Sequence, residues 1–206
     1  MIILENGRNM VRTRSYDETQ VLTGAMHAFR RKGYFGVSIP ELEVATGLSA
    51  GSIYNSFGDK NGIFIAAFSH YLKGVLERRI AEYAKPAAGL SGLRKLFLTL
   101  LREPSGETFG CLITNSAIEF GSDGNAASKA VLRGFEILER AFVERLEAAK
   151  ASKKLGNSLD PKVAAIRLLA LYQGVLVLVR GGYDLKLVRR AIDLEFDGLE
   201  GGFRDA

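Results

Sequence analysis

Two helix starts stand so close together, at residues 38 and 49, that the chain between them has room only for one short helix and a tight turn. Ser38-Ile39-Pro40-Glu41 has the S-x-x-E form of a capping box. Pro40 falls in the first turn, where its missing N–H costs little. The helix is expected to end near Thr46, before Gly47, whose freedom at φ permits the bend. Ser49 can then cap a third helix at once, with Ile53, Tyr54 and Phe57 on its apolar side and Gly58 at its end. Leu42, Leu48 and Ile53 are placed to pack the two helices together.

The remaining sequence also reads as helix, which makes the fold class all-α. There is almost no strand-like alternation, and none of the four prolines interrupts a long periodic stretch. A first helix is expected over residues 16–32, stopped by Gly33 after a basic last turn. Asp59 can cap a fourth helix running from Lys60 to about Tyr83. Further helices are expected over 90–101, 110–120, 125–154, 161–180 and about 185–198, the 161–180 helix announced by Asp160-Pro161. The domain division read from this pattern is an N-terminal unit of residues 1–60 and a C-terminal helical unit of residues 61–206.

Composition narrows the function classes. The single cysteine, Cys111, permits no disulfide within the chain. The two histidines, His27 and His70, have no partner at metal-ligand spacing, so no metal or other cofactor is expected. No nucleophile elbow, phosphate-binding loop or dinucleotide fingerprint appears, and an enzyme is not expected. Arg167 and Gln173 interrupt the apolar run from Val163 to Val179, which suits a buried or dimer-forming helix better than a membrane span. No signal peptide is evident, and a cytoplasmic protein is expected. The net charge of +5 is compatible with nucleic acid, but residues 1–60 hold seven basic and six acidic side chains. Charge alone therefore does not locate a binding surface.

The paired helices do locate one. Ser49, Ala50, Gly51 and Ser52 are small and sit early on the outer face of the third helix. Small side chains let a helix approach the floor of the major groove, where its N-terminal residues read base edges. The N–H groups of that helix start could also meet a phosphate.

The run from Gly47 to Lys60, Gly-Leu-Ser-Ala-Gly-Ser-Ile-Tyr-Asn-Ser-Phe-Gly-Asp-Lys, resembles the signature of the tetracycline-repressor-like (TetR) family across its recognition helix and the start of the next one. The likeness extends back through Ala28-Phe29 and Gly33-Tyr34 and covers about residues 15–65. The resemblance implies a DNA-binding transcriptional regulator. Ser49, Ala50, Ser52 and Asn55 would then face base edges, with Gly51 among the DNA-binding positions beside them. Tyr54 would contact the backbone or a thymine methyl, Lys60 a phosphate, and Ser38 and Ile39 the opposite phosphate strand. Arg12 and Arg14 are either a DNA-touching arm or a solvated tail. Two departures stand out. Glu43 lies where a small or apolar residue is usual, so its carboxylate must face water or find a partner. Asn61-Gly62 follows the lysine, where a glycine weakens a helix turn by about 1 kcal/mol.

In the C-terminal half the resemblance implies dimerisation and binding of a small molecule. The apolar 161–180 helix and the last helix, with Leu187, Val188, Ala191, Ile192 and Leu194, would pair with a second copy. The homodimer would then read two half-sites of a near-palindromic operator in double-stranded DNA. Cys111, Asn115 and Glu119 recur at i, i+4 and i+8 and share one helix face. Together with Phe97, Phe109, Phe135, Tyr172 and Gln173 they form the candidate pocket for an unidentified effector. Two alternatives stay open: a regulator sensing electrophiles or oxidants through Cys111 at a helix N-terminus, and a DNA-binding protein without a ligand.

Overall fold

The computed structural model describes residues 16–101, 110–122, 124–156 and 159–201. These residues form ten α-helices and no strand. The first three build the N-terminal unit: α1 (Glu18–Gly36), α2 (Ile39–Thr46) and α3 (Ala50–Phe57). Asp17 starts α1 by accepting from the N–H groups of Thr19 and Gln20. The capping box at Ser38 is complete, with Glu41 accepting from the Ser38 N–H at 2.7 Å and the Glu41 N–H reaching Ser38 Oγ. Gly47 closes α2 in the left-handed conformation, and Ser49 caps α3.

The chain then enters α4 (Lys60–Tyr71), a π-helical turn (Leu72–Glu77) and α5 (Arg78–Tyr83). The expected fourth helix is therefore present in extent, but its middle is widened to i→i+5 hydrogen bonding. Gly62 does not simply weaken α4. A Cβ at this position would lie 1.8 Å from the carbonyl oxygen of Phe57, so only glycine fits beneath the α3–α4 corner.

The C-terminal unit comprises α6 (Gly89–Leu98), α7 (Leu112–Phe120), α8 (Ala126–Ala151), α9 (Pro161–Arg180) and α10 (Leu185–Gly201). Its centre is an aromatic cluster. Phe97 meets Tyr172 and Phe196 edge-on at 5.3 Å and lies 5.7 Å from Phe142. Arg94 ties α6 to α10 through Asp193 and Asp197. The α9 helix is long and apolar enough to cross a membrane by length and composition. It buries Ala164, Ala165, Leu168, Tyr172, Val175, Leu176 and Val179 in the core and leaves Val163, Ile166, Val177 and Leu178 exposed on its other side.

The first helix departs from expectation at its end. Gly33 does not stop α1 but kinks it, at φ 75° and ψ 172°, and three more residues follow. The cause is tertiary: the Tyr34 N–H beyond the kink donates to Glu119 on α7.

Candidate nucleic-acid interface

The recognition surface starts from a buried spine. Leu42 and Ile53 are wholly buried between α1, α2, α3 and α4, with Leu48 and Phe57 partly buried beside them. With Ile53 inward, helical geometry sends the other side of α3 outward. Ser49, Gly51, Tyr54 and Asn55 are exposed there, and Ala50 and Ser52 are half-exposed. Tyr54 keeps 48% of its surface in water, a large amount for a tyrosine next to a core residue. Ser38 is exposed at the start of α2, Ile39 is half-buried against the core, and Lys60 is half-buried at the start of α4. Arg12 and Arg14 lie outside the described residues.

The start of α3 is already chemically occupied. Glu43 reaches across from α2 and accepts from the Ala50 N–H at 2.6 Å, and Ser49 Oγ accepts from the Ser52 N–H. The Ser49 and Ser52 hydroxyls are 3.0 Å apart. Glu43 thus has the partner its position demanded. With a carboxylate seated at the helix start, the Ala50 N–H is not available to a phosphate.

Two further features shape this surface, the hold of Tyr34 on Lys60 and the charge state of Glu41. Lys60 Nζ lies 4.6 Å from the centre of the Tyr34 ring. Burial first, and then the Asp59 carboxylate, raise the Tyr34 phenol above its ordinary pKa. Lys32 and then the Ser38 N–H and hydroxyl hold Glu41 down to about 2.

The seven described residues of the candidate effector pocket do not meet in one place. Cys111, Asn115 and Glu119 line a cleft of about 280 Å³ between the end of α1, α7 and α9, together with Gly33 and Arg180. Phe97 and Tyr172 belong to the closed aromatic cluster, where burial pushes the Tyr172 phenol up to about 12. Gln173 accepts from the Thr114 hydroxyl at 2.6 Å. Phe135 is half-buried on α8, and Phe109 lies outside the described residues. Cys111 is buried and accepts a hydrogen bond from the Tyr71 hydroxyl at 3.1 Å. Asn115 Nδ2 donates to the Arg30 carbonyl and Glu119 Oε2 accepts from the Tyr34 N–H, both on α1. Among the described residues no cluster of three or more metal-ligating side chains occurs.

A short helix pair with a small-residue outer face, set on a larger helical body, defines a helix-turn-helix regulator of transcription. The chain belongs to the TetR family. Residues 21–67 match the family model for bacterial regulatory proteins of the tetR family. Residues 88–195 match the tetracyclin repressor-like C-terminal domain. The chain is 29% identical over 160 residues to the uncharacterized HTH-type transcriptional regulator YezE of Bacillus subtilis, covering 76% of this chain and 81% of YezE. The fold is shared with the regulator CifR in a complex with 26-bp operator DNA, at a TM-score of 0.80 and 22% identity, covering 91% of this chain and 99% of CifR. It is shared also with FadR of Bacillus subtilis, solved with stearoyl-CoA, at a TM-score of 0.68 and 17% identity, covering 91% and 100%. The protein is a DNA-binding regulator of transcription and not an enzyme.

Proposed function

We propose that the chain is a ligand-responsive repressor that binds a near-palindromic operator as a homodimer in the cytoplasm. The observation that carries the DNA contact is α3 itself, with Ile53 wholly buried and Gly51, Tyr54 and Asn55 exposed on the side away from it. In this reading Ser49, Ala50, Gly51, Ser52 and Asn55 face base edges, Tyr54 and Lys60 grip the backbone, and Ser38 and Ile39 meet the opposite strand. The domain division follows the same lines, residues 1–60 for DNA and 61–206 for pairing and sensing, with α4 beginning at the join.

The homodimer is supported by two exposed apolar stripes at helical spacing. One is Val163, Ile166, Ala170 and Val177 on α9, and the other is Leu187, Ala191 and Leu194 on α10. Stripes of this kind on neighbouring helices suit a self-complementary four-helix contact. The effector reading is supported by the cleft against α7 and by the C-terminal family model. A molecule bound there would shift the population toward a form whose recognition helices are wrongly spaced, with a coupling of about 1–3 kcal/mol. A ligand-independent repressor is the second reading, favoured by the closed packing of Phe97, Phe142, Tyr172 and Phe196.

Titration of a labelled duplex, selected by the protein from a random library, tests the proposal at several salt concentrations. Tight binding by a dimer, weakening steeply with salt and failing on a scrambled duplex, is expected. Equal affinity for selected and scrambled duplexes would remove the operator reading.

A further inference from the structure

The end of α1 is fastened to α7 on both sides of its kink. Before it, Arg30 donates from Nε and Nη2 to the Gly110 carbonyl at 3.1 and 2.8 Å, and Asn115 Nδ2 donates to the Arg30 carbonyl at 3.1 Å. After it, the Tyr34 N–H donates to Glu119 Oε2 at 2.6 Å. A Cβ on Gly33 would lie 1.6 Å from Glu119 Oε1, so the carboxylate fills the space that the glycine leaves open. The kink aims Tyr34 back over the N-terminal unit. Its ring packs 5.0 Å from Phe120 of α7 and 5.1 Å from Phe64 of α4, with Lys60 Nζ 4.6 Å from its centre.

We propose that Tyr34 is a positioning residue for operator binding, its ring holding the Lys60 ammonium at the DNA-facing start of α4, with Glu119 of α7 holding the ring in place. A lysine head group restrained over an aromatic face loses less freedom when a phosphate arrives than one that samples all its rotamers. Three links run from the C-terminal unit to this cation: Glu119 carboxylate, Tyr34 N–H and Tyr34 ring. A displacement of α7 along α1 therefore loosens Lys60 while α3 stays folded against Leu42. The proposal rests on Lys60 being a phosphate contact.

The experiment measures operator affinity of the full-length protein across a salt series, using a duplex selected from a random library. Lys60→Ala is expected to lower affinity and to reduce the slope of log affinity against log salt by about 1.8, the loss of one phosphate from each half of the dimer. Tyr34→Leu and Glu119→Ala are expected to lower both quantities in the same direction. In a Lys60→Ala background each is expected to have less than about a twofold further effect. Tyr34→Phe keeps the ring and Glu119→Gln keeps an oxygen for the Tyr34 N–H, so both are expected to rescue the slope. If Tyr34→Leu does not fold, ring-fluorinated phenylalanine at position 34 keeps the shape and weakens the hold on the cation. A salt slope unchanged by fluorination or by Tyr34→Leu, or full multiplication of the Tyr34 and Lys60 losses, overturns the proposal alone. A Lys60→Ala protein with unaltered affinity and slope overturns both the proposal and the phosphate contact beneath it.

Discussion

The Glu43 carboxylate on α2 accepts a hydrogen bond from the Ala50 N–H at the start of α3, at 2.6 Å. The contact crosses the Gly47 turn and joins the two helices of the DNA-binding pair. It supplements the Ser49 cap, giving α3 two side-chain acceptors in its first turn. Glu43→Ala is expected to lower unfolding stability by about 1 kcal/mol. Glu43→Gln, which retains an acceptor oxygen, is expected to recover much of that. Urea unfolding of the three proteins checks this, and an Ala variant as stable as the parent would contradict it.

Glu41 ties acid stability to α2. Its folded-state pKa is about 2, below the ordinary 4.5, first because of Lys32 and then because of Ser38. The unfolded chain therefore binds the proton more readily. The stabilisation is complete above about pH 4.5 and is lost as pH falls toward 2. Glu41→Gln is expected to flatten the fall in melting temperature across that window. A melting curve that falls equally steeply in parent and variant would count against the capping box as its source.

Gly33 tolerates a side chain poorly. Its φ of 75° with ψ of 172° is backbone that favours glycine, and a Cβ there would collide with Glu119. Gly33→Ala is expected to cost at least about 2 kcal/mol. Adding Glu119→Ala should relieve the collision but not the backbone strain, so partial recovery is expected in the double variant.

The apolar stripes make a clean prediction about assembly. Ile166→Glu places a charge on the exposed face of α9 without entering the core. The variant is expected to sediment as a monomer with unchanged helical content and to bind a two-half-site duplex at least about tenfold more weakly. A variant that stays dimeric would place the interface elsewhere.

Division of labour on the DNA surface follows from chemistry. Tyr54→Ala and Lys60→Ala are expected to weaken binding to every sequence, whereas Ser52→Ala and Asn55→Ala are expected to alter preference among duplexes. Parallel measurements on selected duplexes and on single-base variants of them separate the two patterns. Uniform losses from all four substitutions would contradict it.

The sequence carried the DNA-binding pair in legible form because its signals are local. The Ser38 box, the Gly47 bend and the Ser49 cap each act within four residues. Glu43 was legible as a carboxylate in need of a partner, though not as the acceptor for Ala50. Gly33 was read as a stop because the group that carries the chain onward, Glu119, lies on α7. The π-helical turn at Leu72–Glu77 left no trace, since widening a helix by one residue per turn has no composition of its own. Periodicity placed Asn115 and Glu119 on one face of α7, with Cys111 at its start. It could not say that this face meets α1, or that Phe97 and Tyr172 pack elsewhere, because period gives a face and not its neighbour.

The most direct measurement is selection of binding sites from a random duplex library by the full-length protein, repeated with Asn55→Ala. The account predicts enrichment of a near-palindromic site with half-sites about one helical turn apart or a multiple of it. It predicts also a changed preference at symmetric positions in the variant. No enrichment, or an identical site recovered by both proteins, would contradict the assignment of α3 as the helix that reads the bases.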